Sequence, residues 1–257
     1  MKEVRTGGFL LNQNLLKWIA VITMTIDHTG MVLFEQFHFM RLIGRLAFPI
    51  YCYLLVQGFC YTKSRTRYML RMAVFAFLSE LPFDLVCFGG FSWQGQSVFV
   101  TLLLGLLMLA VMEKILSVPD FPRWAAYLLA AAAVVVTALI SYLAACDYSF
   151  SAPFLIAGLY VYAAGCRKNA AGNNAVVLYA AYFAFLAAMF AGWILKGYTP
   201  AVSLDGSLTE AFCLPAIWLI QHSTPTRKKR SGKYFFYLYY PLHLLILYGI
   251  DRMLMCM

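Results

Sequence analysis

Two ionisable side chains in the first apolar segment have a spacing that suits joint chemistry. Residues 15–34 are apolar enough to cross a membrane, yet they contain Lys17 near the start and His28 in the middle. Eleven helical steps of about 100° end about 20° from the starting direction and rise about 16 Å, so both side chains fall on one face. An ionisable residue at mid-membrane is costly and usually faces a partner or a water-filled cavity. His28 is therefore a candidate proton acceptor with a cation on the same face.

The neighbours of His28 extend this polar face. Glu35 falls near the same face at the end opposite to Lys17. Asp27 points about 100° away from His28, so we expect it to brace a neighbouring helix rather than to orient the imidazole. In the alternative interpretation, Lys17 snorkels to the headgroups and His28 only forms a hydrogen bond across the bundle.

The last apolar segment supplies a second histidine. In the run KYFFYLYYPLHLLIL, His243 lies about as far past a basic loop as His28 lies past the start of its own segment. If both segments cross in the same direction, the two histidines lie at comparable depth. Pro241 frees a backbone carbonyl, and Tyr239 and Tyr240 add hydroxyls, which suits a polar cavity in the bundle. Ordinary packing is the alternative for the two tyrosines.

The composition is that of a membrane protein. The 257 residues are 63% hydrophobic and only 12% charged, which is more apolar surface than one soluble core of this size uses. In such a chain the formal net charge of +9 reports topology first, and no nucleic-acid partner is expected. The seven cysteines form no CxxC pair, so we expect packing residues rather than a metal cluster or a disulfide framework.

Apolar runs of spanning length predict an all-α, polytopic membrane bundle. Crossing roughly 30 Å of hydrocarbon takes about twenty apolar residues, which predicts about nine transmembrane helices, with about eight to ten as the range. We expect one membrane-embedded domain over residues 1–257, in which the sixth and eighth helices are the shortest. The runs start near Leu15, Leu46, Tyr68, Val98, Trp124, Phe150, Val176, Leu208 and Tyr234.

The distribution of basic residues predicts a cytoplasmic N-terminus. With that orientation all but four of the 20 lysines and arginines lie inside, which is a strong positive-inside bias. The four outside are Arg41, Arg45, Lys196 and Arg252. We expect Arg41 and Arg45 to form ion pairs with Glu35, Glu80 or Asp84, which fall at a similar level. Alternatively, Arg45 and Glu80 line an entrance for a substrate.

Two basic runs follow apolar segments. The run YTKSRTRYMLRM contributes Lys63, Arg65, Arg67 and Arg71, and a second run covers residues 227–233. Topology and anionic lipid both explain such clusters. Closely spaced arginines also present forked donors that suit phosphate oxygens. No Walker loop or GxGxxG run is present, so neither a nucleotide-driven pump nor a Rossmann site is expected.

Three runs of the chain carry a family likeness. They are LKWIAVITMTIDHTGMVLF, RLIGRLAFPIYCYLLVQGFCYTKSRTRYMLRMAVFAFLSELPFD and KYFFYLYYPLHLLIL, within which IDH followed by Gly30, GRLAFPIY and YYPLHL are the most specific pieces. Together they resemble the TraX family of bacterial membrane proteins, and the likeness extends over most of the chain. In conjugative plasmids this family is associated with N-terminal acetylation of pilin. The resemblance implies a bacterial cytoplasmic membrane protein that uses acetyl-CoA.

The first helix has a more distant likeness to another enzyme class. Membrane acyltransferases of the acyltransferase-3 type carry an Arg or Lys, ten intervening residues and a His, and Lys17 with His28 is similar to that pattern. Lys is the less usual first residue. Arg67 and Arg71 are similar in place, but not in spacing, to an arginine motif of that class. The heparan-α-glucosaminide N-acetyltransferases share the plan of a membrane histidine reached by cytosolic acetyl-CoA.

The resemblances imply that His28 is the catalytic histidine and that Lys17 is a positive group near the cofactor. From these roles and the helix positions, our hypothesis assigns three groups of residues and no metal. The catalytic group is His28, with Asp27 and His243. The group that binds acetyl-CoA is Lys17, Lys63, Arg65, Arg67 and Arg71, and the run 227–233 is a further contributor. The group on the acceptor side is Glu35, Arg45, Glu80 and Tyr240. Neutral His28 would take a proton from an amine or hydroxyl that attacks the thioester, and a covalent acetyl-histidine is the less favoured route.

Three other functions compete with acetyl transfer. A transporter of a small solute or a proton-coupled substrate also uses intramembrane charges, although no inverted repeat is apparent. Two histidines at equal depth could bind haem iron from both sides. A structural or assembly subunit would tolerate replacement of His28. The acceptor, a peptide N-terminus or a glycan, stays open, and membrane lipid is the expected surrounding.

Overall fold

The chain is helical almost throughout. The computed structural model describes residues 11–167, 174–224 and 233–256. Within them it has eleven helices: α1 (Gln13–Val32), α2 (His38–Gly44), α3 (Ala47–Tyr61), α4 (Arg65–Phe88), α5 (Val98–Leu116), α6 (Arg123–Leu143), α7 (Ala152–Arg167), α8 (Asn174–Leu195), α9 (Pro200–Ala211), α10 (Leu214–Gln221) and α11 (Lys233–Met255). Strands β1 (Leu11–Asn12) and β2 (Ser223–Thr224) pair in parallel. The all-α prediction is confirmed.

Each of the nine predicted segments is helical, but two of them are divided. The second begins earlier than its predicted start near Leu46 and is divided into α2 and α3, and the eighth begins earlier than Leu208 and is divided into α9 and α10. Pro49 lies in the first turn of α3, and Pro215 lies in the first turn of α10. A proline there loses no helical hydrogen bond and presets the backbone for a new helix. The divisions therefore follow from local chemistry that hydropathy alone does not show.

Fewer segments qualify as membrane spans than the sequence predicts. Among the described residues, four are long and apolar enough to cross a membrane: His38–Tyr61, Val98–Leu116, Arg123–Leu143 and Asn174–Leu195. Ala152–Cys166 is apolar but shorter. Helices α1, α4 and α11 have 20, 24 and 23 residues, but they carry ionisable side chains and are not among the four. The apolar helices are those of a membrane protein, whereas nine crossings and a cytoplasmic N-terminus are not confirmed.

Helix α3 lies at the centre of the apolar core. Ile50, Tyr53 and Phe59 on this helix are each at most 1% exposed. The helix packs against α1, α5, α7 and α10. Its neighbour α2 approaches α1 closely at Gly44, where a Cβ would overlap the side chain of Asp27. This close approach brings the charged ends of α1 and α2 into contact.

The bundle has two chemically different ends. Helices α1, α4 and α11 begin at one of them, which we call the basic end because it carries Lys17, Lys63, Arg65, Arg67 and Arg71. On α4, Phe83 lies about 18 Å further along the helix axis than Arg71. The end of the bundle near Phe83 is called the far end. Lys2, Arg5, Lys168, the run 227–232 and the side chains of Arg167 and Lys233 lie outside the described residues.

Candidate active site between two cavities

Helices α1 and α11 bring the two histidines into direct contact. His28 Nδ1 lies 2.6 Å from His243 Nε2, and His243 is 6% exposed. The prediction that the two histidines lie at comparable depth is confirmed. A distance of 2.6 Å is that of a hydrogen bond, and it is too short for these two nitrogens to bind one iron from opposite sides. The contact therefore disfavours the haem alternative.

The hydrogen bonds of His243 determine which nitrogen of His28 is free. His243 Nδ1 lies 2.8 Å from the backbone oxygen of Tyr239, which can only accept, so Nδ1 donates. Nε2 of neutral His243 is then an acceptor, and His28 Nδ1 donates to it. His28 Nε2 is left as the unprotonated nitrogen. This chain of bonds holds His28 in the tautomer that a general base requires.

Tyrosines of α11 hold the histidine pair in place. The hydroxyls of Tyr239 and Thr25 lie 2.7 Å apart and join α11 to α1. The ring of Tyr240 meets the His28 ring edge to face, with centroids 5.9 Å apart. Tyr240 is 4% exposed, so it packs between helices rather than at an exposed acceptor entrance. The rings of both tyrosines contact the histidine pair.

Asp27 belongs to an ion-pair network and does not contact His28. Its Oδ2 lies 3.0 Å from Arg41 Nη1, and its Oδ1 lies 3.4 Å from Arg45 Nη2. Arg45 Nη1 also contacts Glu210 Oε1 at 2.5 Å. The expectation that Asp27 braces a neighbouring helix is confirmed, because the network joins α1 to α2 and α9. Since Arg45 is shared by two carboxylates, it is the centre of the network.

The predicted partners of the two outer arginines were wrong. Glu35 is exposed in the turn after α1. Glu80 accepts hydrogen bonds from the backbone and the hydroxyl of Ser97, at 3.1 and 2.6 Å, and so anchors the start of α5. Asp84 accepts from the backbone of Ser92 at 3.1 Å. The sequence placed these residues at a similar level along the bundle, but it did not show which of them face each other.

Loss of the shared arginine is expected to destabilise the fold. Arg45→Met should lower the free energy of unfolding by about 3–5 kcal/mol, because Asp27 and Glu210 would remain buried without it. Arg41→Met is the control, with an expected loss of about 1 kcal/mol or less, because Arg41 is more exposed and its Nη1 makes no hydrogen bond to a described residue. Unfolding in mixed micelles, followed by tryptophan fluorescence, measures both. Equal losses would contradict the central position of Arg45.

The first of two cavities opens at the basic end. It has a volume of about 140 Å³, which is below the ~300–1,000 Å³ of pockets that enclose a whole drug-sized ligand and suits a narrow arm. Its polar wall residues are Gln13, Lys17, Tyr51, Thr62, Tyr68, Arg71 and Tyr237. The wall thus combines two of the five cations of the predicted donor group with residues of α1, α3 and α4. We call it the basic-end cavity.

Two donors in this wall have no acceptor among residues 11–167, 174–224 and 233–256. Arg71 Nε and Gln13 Nε2 are buried, and neither makes a hydrogen bond to a described residue. Buried donors are nearly always satisfied, so an unsatisfied pair in a cavity wall calls for a ligand or water. The Lys17 ammonium lies 5.1 Å from the ring centroid of Phe236 in the same wall. The cavity therefore offers cations and N–H donors to a ligand rich in oxygen acceptors.

The other three cations of the donor group lie outside the cavity wall. Arg65 forms an ion pair with Glu113 on α5 and stacks on Phe59. Lys63 and Arg67 are exposed. These residues share the basic end with the cavity but do not line it. The structure thus divides the five cations into two that line the cavity and three at the surface.

Aromatic side chains connect the basic-end cavity to the histidine pair. Phe99 lines the cavity, and its ring centroid lies 5.2 Å from that of Tyr240. Tyr240 in turn contacts the rings of His28 and His243, with centroids 5.9 and 5.7 Å apart. Two ring contacts, Phe99 with Tyr240 and Tyr240 with His28, therefore separate the cavity from the candidate base.

The second cavity lies at the far end. It has a volume of about 330 Å³ and includes the loop 145–151 between α6 and α7 in its wall. Its polar wall residues are Arg45, Gln96, Asp147, Tyr148, Ser149, Ser151, Lys196 and Glu210. Of the predicted acceptor-side residues, Arg45 lines this cavity, whereas Glu35, Glu80 and Tyr240 do not. We call it the far-end cavity.

Glu210 and Asp147 were not assigned a role from the sequence. Glu210 lies in the run LTEAF, where a single acid in an apolar stretch was a signal that could have been used. Asp147 lies in a loop whose conformation the sequence does not show. Ala145, Tyr148 and Ser149 in this loop have positive φ values of 51°, 54° and 27°. Such left-handed backbone at non-glycine residues is strained and often accompanies function.

Comparison with known proteins identifies relatives of this chain. A family model described as "TraX protein" matches residues 12–251. A probable fimbrial assembly protein of Dichelobacter nodosus, FimC of serogroup H1, is 26% identical over 250 residues, which cover 90% of this chain and 92% of that protein. An uncharacterized protein of Rickettsia prowazekii (strain Madrid E) is 49% identical over 55 residues, which cover 21% of this chain and 22% of that protein. No solved structure matches the chain.

Proposed function

The chain belongs to the TraX family, and from this premise we propose that it is an integral membrane acetyltransferase. It transfers the acetyl group of acetyl-CoA to an amine or hydroxyl of a peptide or glycan acceptor. The relative named for fimbrial assembly favours a surface peptide as the acceptor. The protein resides in the bacterial cytoplasmic membrane with its basic end toward the cytoplasm, as the excess of cations there favours.

The observation that carries this proposal is the basic-end cavity. Lys17 and Arg71 in its wall supply positive charge for phosphate oxygens. Gln13 Nε2 and Arg71 Nε supply unsatisfied donors for further ligand oxygens. The narrow volume takes the arm of the donor, with the phosphates that end this arm beside Lys17 and Arg71, and the rest of the nucleotide stays outside, at the end where the surface cations Lys63 and Arg67 lie. His28 is about 16 Å from the level of Lys17 along α1, which sets the reach that the arm requires.

The bonds of the histidine pair support direct transfer. The acceptor nitrogen or oxygen attacks the thioester carbon, and its proton passes to His28 Nε2, which the bond to His243 keeps unprotonated. The C–S bond breaks, and the leaving thiolate takes the proton back from the imidazolium of His28. Tyr239 stabilises the transient charge, because its carbonyl accepts from His243 Nδ1. No group is oxidised or reduced.

Calorimetry on purified protein in detergent tests the proposal. We expect acetyl-CoA to bind with a dissociation constant in the micromolar range. S-acetyl-pantetheine, which lacks the nucleotide and its phosphates, should bind more weakly, because it loses the contacts to the basic end. If folded protein binds neither compound and membranes consume no acetyl-CoA, the enzyme proposal is wrong and transport becomes the leading function.

A further inference from the structure

We infer that the far-end cavity binds a zwitterionic group, in which an ammonium and an anion lie close together on a ligand with an apolar or aromatic part. That this ligand is the acetyl acceptor rests on the proposed function. The binding site itself rests on the residues of the cavity wall. The inference thus names a site and a ligand class that the histidine pair alone does not indicate.

The cavity wall holds a carboxylate and an ammonium that have no ionic partner in the part of the chain that the structure describes. Asp147 and Lys196 both line the cavity. Among the described residues neither has an oppositely charged group within 4.0 Å. Asp147 Oδ1 accepts from the backbone of Tyr148 at 3.0 Å, and this is the hydrogen bond that the described residues make to its carboxylate. An unpaired anion and an unpaired cation in one wall complement a ligand with both charges.

Two further polar groups in the wall have bonding capacity left. Glu210 is 8% exposed and uses Oε1 to bind Arg45, and no described residue donates to its Oε2. The hydroxyl of Ser149 is buried and makes no hydrogen bond to a described residue. A buried hydroxyl without a partner is costly unless a ligand or water satisfies it, and Glu210 Oε2 is a second oxygen that can accept. They add acceptors for an ammonium beside Asp147.

The loop that carries Asp147 is held in place by α5 and by Gln96, which lies just before this helix. The backbone of Gln96 donates to Ala145 at 3.1 Å and accepts from Asp147 at 3.0 Å. The hydroxyl of Thr101 donates to the backbone oxygen of Asp147 at 2.6 Å. These bonds preorganise the loop, so the charged wall is present before a ligand binds, which lowers the cost of binding.

The rest of the wall is apolar and suits the non-polar part of a ligand. Phe83, Phe150, Met189 and Trp193 contribute to it. The cavity volume of about 330 Å³ falls within the range of small-molecule sites. Arg45 in the wall contacts Asp27, which precedes His28 on α1. One ion pair therefore links the wall of the far-end cavity to the residue that precedes His28.

Three related probes separate the two charges. Phenylalanine carries both charges, phenylalanine amide carries only the ammonium, and N-acetyl-phenylalanine carries only the carboxylate. By calorimetry in detergent, the protein should bind phenylalanine more tightly than either blocked form. Asp147→Asn should weaken binding of phenylalanine and its amide about tenfold and leave the N-acetyl form unchanged. Lys196→Gln should weaken phenylalanine and the N-acetyl form and leave the amide unchanged.

Controls make the result decisive. Asp147 and Lys196 are exposed, so both variants are expected to fold, and a monodisperse elution profile verifies this. Asp205→Asn removes an exposed acid of α9 outside the cavity wall and should change no binding constant.

Competition by added phosphatidylethanolamine, but not by phosphatidylglycerol, would identify the zwitterion as a lipid headgroup. The inference would be overturned if each variant weakened binding of all three probes equally. It would also be overturned if neither variant changed the binding of any probe.

Failure of this inference and failure of the proposed function give different results. Charge-dependent binding of the probes without acetyl-CoA binding would keep the far-end site and reject the acetyltransferase. Acetyl-CoA binding without charge-dependent probe binding would do the reverse. Glu210 is not the test position, because its replacement would remove the partner of Arg45 and disturb the fold.

Discussion

His28→Gln is expected to lower the rate of acetyl transfer by about 100- to 10,000-fold, the range that a positioned general base contributes. Glutamine has no basic nitrogen, but its amide can still donate to His243 Nε2, which His28 Nδ1 contacts at 2.6 Å. The helix contact should therefore survive. Because His28 does not line the basic-end cavity, acetyl-CoA binding should stay unchanged. Transfer of radiolabelled acetyl groups in membranes, with calorimetry beside it, measures both quantities.

His38→Gln is the matched control for this variant. His38 is exposed at the start of α2, away from the histidine pair. Its replacement should change neither transfer nor binding. Transfer at the wild-type rate by well-folded His28→Gln protein would exclude His28 as the base. A parallel loss of acetyl-CoA binding would instead show that the histidine acts by holding the donor.

Arg71→Ala is expected to weaken acetyl-CoA binding by about 10- to 100-fold, which is what loss of hydrogen bonds to a charged group costs. Arg71 lines the basic-end cavity, and its Nε is buried without a hydrogen-bond partner among the described residues. The variant also removes an unsatisfied buried donor, so the fold should not be destabilised. Calorimetry with wild-type protein as reference measures the change.

Arg67→Ala provides a close comparison on the same helix. Arg67 is exposed and lies outside the cavity wall, one turn before Arg71 on α4. It removes the same charge from the basic end but not from the cavity, so the dissociation constant should rise far less. If both variants weaken binding equally, the cations act through overall charge. The assignment of the donor to this cavity would then be wrong.

Features that depend on local sequence were predictable. Lys17 and His28 share a helix because spacing along a chain fixes angle and rise, and α1 contains both. The nine apolar runs are all helical because hydropathy and length are properties of each run by itself. The shared depth of His28 and His243 also followed, since it required only the direction of two helices and their distance from a basic flank.

For residues in contacts between helices, the position along the bundle axis was predictable, but the partner that each residue faces was not. Arg45, Glu80 and Asp84 were correctly placed away from the basic end, yet Arg45 binds Asp27 and Glu210 instead. Residues at one level can lie on opposite sides of a bundle, because the rotation of each helix and its neighbours depend on packing around α3. The sequence therefore showed which charged residues are present but not which of them form ion pairs.

The two cavities arise only from the packed bundle. Gln13, Lys17 and Arg71 come from two helices that are far apart in the chain, and they form one wall because α1 and α4 begin at the same end. Asp147 lies in a loop and Lys196 follows the end of α8, and the packing places both in the wall of the far-end cavity. Local chemistry determined where a base and its cations lie along the helices. The packing of the helices determined what each of them faces.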